Sequence, residues 1–159
     1  EITMKPTGTT VLASNRKARH DFTIIDVVEA GIVLLGSEVK SLRTGQVQLA
    51  DAYARVVDSE VWLEGVHIAP YQFAVGVGAH DPDRARKLLL HSAEIRRFRE
   101  RIMKDRLTLV PLSIILRDGK VKVELALAQG RTKGDKRNAI AERDVKREIQ
   151  REIAQRNRR

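Results

Sequence analysis

The chain has no cysteine, only four prolines, and few aromatic residues: one Trp, two Tyr and three Phe in 159 residues. Without cysteine there are no disulfides, no Cys-ligated zinc sites and no thiol nucleophile. That usage fits a cytosolic chain, and a cytoplasmic protein is expected. The rings are Phe22, Tyr53, Trp62, Tyr71, Phe73 and Phe98, so few bases could be stacked on them. Long apolar runs are also lacking. The best, residues 107–116, is broken by Thr108, Pro111 and Ser113 and is half the ~20 residues a membrane helix needs. The first residues hold no signal-peptide apolar core, and Glu1 rather than Met is consistent with numbering that starts inside a longer chain.

Positive charge is abundant. Thirty Lys and Arg face 21 Asp and Glu, for a net charge of +9. The last thirty residues carry 11 of those cations and 5 of the acids. Two thirds of the net charge therefore lies beyond Gly130, which points to a polyanion partner, since clustered Lys and Arg release counterions from phosphate. At 42% hydrophobic residues the chain can still build a core of one domain's size.

The body reads as short strands. Residues 22–28 are rich in Ile and Val, which favour strands. Ala30-Gly31 interrupts, and residues 32–42 continue as an extended run with Gly36 as a bulge or barrel corner. Residues 52–57 and 61–66 flank Asp58-Ser59-Glu60 as a hairpin. The sharpest local signal is Asp118-Gly119 between residues 112–117 and 120–128, because a two-residue hairpin turn needs positive φ at both positions. In its second strand Val121, Val123, Leu125 and Leu127 alternate with Lys120, Lys122, Glu124 and Ala126, as in a half-buried antiparallel strand. One body helix starts near Ser92 as its cap. Its apolar stripe is Ile95, Phe98, Ile102 and Met103, with Arg96, Arg97, Arg99, Arg101 and Lys104 on the other faces. The expected fold is mainly β: a small antiparallel OB-like barrel with one to three short helices.

Residues 131–159 form a separate basic tail after a barrel domain of residues 1–130. In the tail Ala141, Val145, Ile149 and Ile153 recur every four residues beside a parallel line of Arg143, Arg147 and Arg151. Such a stripe is too narrow to bury much, and lone helices are marginal in water. The tail is expected to be disordered or frayed when free and helical against a groove. An amphipathic helix packed back on the barrel is the alternative.

Catalytic patterns are weak. His20, His67, His80 and His91 are scattered without metal-ligand spacing. His80-Asp81 alone does not make a phosphohydrolase motif, and Gly76-Val77-Gly78 lacks the rest of a dinucleotide loop. No enzyme activity, metal or cofactor is expected. The segment 15–22, Asn-Arg-Lys-Ala-Arg-His-Asp-Phe, is different. Its cations, amide and imidazole, on a short turn, suit phosphate, sugar and unpaired bases, as RNA loops present them. Asp81-Pro82-Asp83-Arg84-Ala85-Arg86-Lys87, followed by Leu88-Leu89-Leu90, is a second basic cluster whose leucines suit the core better than an interface. A generic basic single-strand module is the competing reading, and it would lean on stacking rings the chain lacks.

Four stretches in order, NRKARHDF at 15–22, GSEVKSLR at 36–43, DPDRARKLLL at 81–90 and 130–137 ending in Asp-Lys-Arg, resemble the SsrA-binding protein family, also called small protein B. The resemblance spans nearly the whole chain. It implies a barrel that binds the tRNA-like domain of transfer-messenger RNA in place of an anticodon arm, and a tail that probes the ribosomal decoding centre and empty mRNA channel during trans-translation. A monomer suits that role. Mapped by motif, it implies RNA contacts at Asn15, Lys17, Arg19, His20, Glu29, Leu89, Lys120 and Lys122. It implies ribosome contacts at Asp135, Lys136 and Arg137, and Arg143, Arg147 and Arg151 are our candidates for the mRNA channel. One departure stands out: Gly134 lies where the family commonly has a ring, so any stacking by that ring is absent here.

Overall fold

The computed structural model describes residues 8–71, 79–131 and 133–156, with side chains in the last stretch given at Arg143 and 145–155. Among these described residues, nine strands and four helices follow in the order β1 (Thr9–Ser14), α1 (Arg16–Asp21), β2 (Phe22–Ile32), α2 (Gly36–Arg43), β3 (Val47–Gln48), β4 (Tyr53–Val57), β5 (Glu60–Glu64), β6 (His67–Ile68), β7 (Arg86–Leu89), α3 (Ser92–Asp105), β8 (Thr108–Arg117), β9 (Lys120–Gly130) and α4 (Lys133–Arg156). The strands β8, β4, β5, β7, β2 and β9 pair in turn, and β9 returns to β8, so the sheet closes into an antiparallel ring. Strand β1 joins the free stretch of the β8 edge beyond its contact with β4. Closure removes the open edges that would otherwise invite pairing with other chains.

The hairpins form for the reason the sequence suggests. Asp118 and Gly119 have φ of 50° and 81°, the mirror-image turn whose twist matches two antiparallel strands. Gly8 closes over it, donating its N–H to Asp118 Oδ1 at 3.1 Å. The β4–β5 connection is tighter than expected. Asp58 and Ser59 alone turn, both at positive φ, and Glu60 already belongs to β5. Gly65 is required at its place: its φ is +77°, and a Cβ there would lie 2.7 Å from the Asp51 carbonyl.

Strand β2 does not break at Ala30-Gly31; it runs unbroken through Ile32. The segment after it is a helix, not an extended run. Ser37, Glu38, Ser41 and Leu42 are its buried residues, a helical repeat in which three of four members are polar. Hydrophobic periodicity cannot reveal a helix whose inward face is polar. Gly36 opens α2 and makes no barrel corner. Residues 15–22 likewise hold a short helix, α1, and no simple turn.

Helix α3 inserts Phe98, with no exposure, and Ile95 into the barrel core with Leu63, Leu109, Ile114, Val123 and Leu125. Its cap is His91, one residue before Ser92, whose N–H is taken by the Glu94 carboxylate at 3.2 Å. Met103 is 78% exposed and leaves the stripe. Helix α4 is helical from Lys133 to Arg156 and comes into contact with α1. Val145, Ile149 and Ile153 all remain more than half exposed, so these described members of its apolar line are not packed back on the barrel.

Candidate RNA interface

The outer face of the barrel is built by register. Along β9 the residues Val123, Leu125 and Leu127 point into the core, so Lys120, Lys122, Glu124, Ala126 and Ala128 form the opposite face. At one end α1 covers that face, with Ala18 packed on Val110, Leu112, Ala126 and Ala128. Beyond α1 the face presents exposed Leu89 and Val11 and half-buried Glu124 and Lys122, with Ser113 and Ile115 buried between them. One row across it runs Glu29 in β2, Glu124 in β9, Ser113 in β8 and Ser14 in β1. The next row runs Leu89 in β7, Gly31 in β2, Lys122 in β9, Ile115 in β8 and Val11 in β1. Lys120 and Arg117, paired across the hairpin, end the face.

The elements that carry the dispersed sequence candidates therefore adjoin on one side of the barrel. Lys17, Arg19 and His20 lie on α1, Glu29 in the first open row, and Leu89 and Lys122 in the second. Leu89 is 52% exposed, and its Cβ would crowd any side chain at Gly31, 3.1 Å from a Cβ built there. The missing side chain at Gly31 lets Leu89 lie over the strand. Glu29 accepts from Arg117 Nε at 2.9 Å, a bond that draws the arginine back across the face.

Within α1 the roles divide. Asn15 is 2% exposed and spends its whole amide inside the protein. Its Oδ1 caps the helix by accepting from Ala18 N–H at 3.0 Å, and its Nδ2 donates to the Leu49 and Pro111 carbonyls at 3.0 and 2.9 Å. Burial thus corrects the expectation that Asn15 meets RNA directly: it pins α1 to the barrel. Lys17 points outward and pairs with Asp51 at 2.8 Å. That hydrogen bond, with the carboxylate's charge, holds the ammonium above the ordinary lysine range. Arg19 is exposed with no ion-pair partner among the described residues. His20 Nδ1 lies 2.9 Å from Asp21 Oδ1. Beside α1, Asp51 also edges an open depression of about 340 Å³ lined by Gln48, Ala50, Gly65, His67 and Asp83. Its two carboxylates make it a poor seat for phosphate.

The second basic cluster has another use. Glu38 on α2 is fully buried and takes hydrogen bonds from three directions: Arg84, Arg86 Nε at 2.6 Å, and the Leu35 N–H at 2.8 Å. Arg86 is itself fully buried and donates onward to the Val66 and Pro82 carbonyls at 2.7 and 3.0 Å. Burial pushes the Glu38 carboxyl up, but the bonds from Arg84, Leu35 and Arg86 outweigh it and hold the group below the usual carboxylate range. His80 is buried as well. Its Nε2 donates to the Ile68 carbonyl at 2.9 Å, which leaves Nδ1 to accept from the Ser37 hydroxyl at 2.8 Å. Both ring nitrogens are occupied in tying α2 to the barrel, so the His80-Asp81 dipeptide is structural. Among the described residues no group of three or more His, Asp or Glu is placed to hold a metal. Gly76-Val77-Gly78 lies outside the described residues.

Sequence reasoning missed Glu124 and Ser113 as members of the open face. Alternation showed Glu124 only as one polar residue of a strand, and nothing local announces that Ser113 stands opposite it. The tail residues Asp135, Lys136, Arg137 and Gly134 lie in the first turns of α4, with side chains outside the described set. Arg143, Arg147 and Arg151 are exposed along the helix.

Fold and face together define a small basic β-barrel of the OB-like class with a basic helical extension. The family model described as SmpB protein matches residues 12–155, and the chain belongs to that family. It is 57% identical over 146 residues to the SsrA-binding protein of Mycolicibacterium smegmatis, covering 92% of this chain and 90% of that protein. It is 52% identical over 153 residues to the SsrA-binding protein of Nocardia farcinica, covering 96% and 95%. A solved chain described as "tmRNA-SmpB: a journey to the center of the bacterial ribosome" superposes with a TM-score of 0.63 at 45% identity, over 80% of this chain and 93% of that one.

Proposed function

We propose that this protein binds the tRNA-like domain of transfer-messenger RNA through the open barrel face and carries it to stalled ribosomes for trans-translation. The observation that supports this reading is that Glu29, Leu89, Lys120 and Lys122, far apart in sequence, lie on neighbouring strands β2, β7 and β9 of one outer face, on which α1, the helix of Lys17, Arg19 and His20, also packs. Family membership and the tmRNA-SmpB neighbour support it. Residues 1–130 act as the RNA-binding barrel and 131–159 as the ribosome-facing element. Asp135, Lys136 and Arg137 meet the decoding centre, and Arg143, Arg147 and Arg151 meet the mRNA channel. The protein is a binding partner and no catalyst, needs no cofactor, works as a monomer and acts in the bacterial cytoplasm.

The test is an affinity titration at two salt concentrations. Full-length protein and a 1–130 truncation each meet the tRNA-like domain and an ordinary tRNA. Tight binding to the first RNA only, surviving both truncation and salt, is expected. Equal, salt-sensitive binding to both RNAs that vanishes with the tail would mean counterion release alone and would return the protein to the generic basic modules.

A further inference from the structure

The middle of the open face holds two polar groups that the protein itself leaves unused. Glu124 is half-buried and has no side-chain partner among the described residues. Its neighbour across β2 is another carboxylate, Glu29. Like charges directly opposite on a sheet oppose folding, and the nearby Arg117 is committed to Glu29. On the other side Glu124 faces Ser113, which is 5% exposed and whose hydroxyl has no hydrogen-bond partner. An orphaned buried hydroxyl costs stability and calls for a reason. The β8 bulge between Pro111 and Ser113 produces this placement. It sets Ser113 on the outer side against Glu124 while Ile114 stays in the core.

We infer that Glu124, with the Ser113 hydroxyl beside it, is a hydrogen-bond-accepting subsite that reads an N–H or O–H donor of the bound RNA, a ribose 2′-hydroxyl or a base amino group. The inference rests on the RNA-binding reading of the face. A carboxylate repels phosphate, so what settles on Glu124 is a neutral donor. Lys122 and Lys120 lie two and four residues along the same strand face, about 7 and 13 Å away at strand rise, and take the flanking phosphates. Sugar hydroxyls distinguish RNA from DNA, and a carboxylate at this place adds selectivity where the cations supply attraction. Ser113 acts as a positioning residue: its hydroxyl gains a partner when the Glu124 carboxylate is drawn into the contact.

The sign of the effect makes the test sharp. Glu124→Ala removes negative charge from a protein that binds a polyanion, so charge alone predicts tighter binding to every RNA. The inference predicts a loss of tenfold or more in affinity for the tRNA-like domain and equal or tighter binding of an ordinary tRNA. Glu124→Gln, which keeps shape, is expected to give a smaller loss of the same sign and decides the matter if the alanine variant does not fold. Ser113→Ala is expected to leave the melting temperature unchanged or raised while lowering affinity for the tRNA-like domain a few-fold, opposite signs that a structural role would not produce. Unchanged or tighter binding of the tRNA-like domain by folded Glu124→Gln overturns the inference. Wild-type protein that fails to prefer the tRNA-like domain overturns the underlying reading instead. A 2′-deoxy-substituted RNA separates the two donors. If it weakens wild type but not Glu124→Ala, the sugar is read; if it weakens neither while Glu124→Ala still loses affinity, a base is read.

Discussion

Two charged segments look alike as strings and behave in opposite ways in the fold. Residues 15–22 and residues 81–90 each crowd cations beside a strand. In the first, Lys17 and Arg19 end on the surface. In the second, Arg84 and Arg86 turn inward and close on Glu38, and Arg86 has no exposure at all. One segment is available to a partner and the other holds α2 onto the barrel. A basic cluster announces a polyanion only when its charges stay at the surface, and here buried Glu38, some 46 positions from Arg84 in sequence, draws the second cluster inward.

Breaking the buried side should have the largest effect. Glu38→Gln strands two guanidinium groups, one of them fully buried, and losses of this kind cost about 3–5 kcal/mol. In a chain of this size that lowers the melting temperature by roughly 6–20 °C. The same pair sets an acid limb. Because folding lowers the Glu38 pKa, its contribution is complete above the ordinary carboxylate range and is lost as pH falls through the folded-state value. Thermal melts from neutral to strongly acidic pH should show this loss in wild type and a flatter profile in Glu38→Gln. A variant as stable as wild type would show that the network is not holding α2.

Asn15→Ala comes next. It removes an N-cap and leaves the buried Leu49 and Pro111 carbonyls short of a donor, which costs about 1–3 kcal/mol. RNA affinity should fall with stability, because α1 loses its anchor. Affinity falling with no change in melting temperature would return Asn15 to the interface.

Arg19→Glu probes the exposed side. Its stability should stay within about 0.5 kcal/mol of wild type, while RNA affinity drops and the logarithmic salt slope shrinks by about one phosphate contact. The smallest effect on the barrel is expected from replacing Arg143, Arg147 and Arg151 together with Glu. Neither stability nor affinity for the tRNA-like domain should move, yet tagging of stalled peptides should stop. Equal falls in affinity and tagging would erase the division between barrel and tail.

Parts of this molecule could be read directly. The Asp118-Gly119 hairpin, the inward face of β9 and the core stripe Ile95–Phe98–Ile102 follow from turn chemistry and periodicity. The four-residue recurrence in the tail likewise matches the helix of α4. Helix α2 could not be read, because it buries Ser37, Glu38 and Ser41, residues that any hydrophobicity pattern assigns to solvent. Asn15 was legible as a member of a polar cluster but not as a buried cap, since the carbonyls it satisfies belong to residues 49 and 111.

The amino-acid sequence alone determined the charge imbalance, its concentration beyond Gly130, the local turns and the family motifs, because each depends on composition or on residues a few positions apart. Which cations remain available, which carboxylate is left without a partner, and which candidates share a face were decided only when β2, β7, β8 and β9 came into register around the barrel. The physical reason is range. Propensity and periodicity act over a turn or a strand. The pairing of Glu38 with Arg86 and of Glu29 with Arg117, and the register that sets Glu124 opposite Ser113, exist only after the sheet has closed.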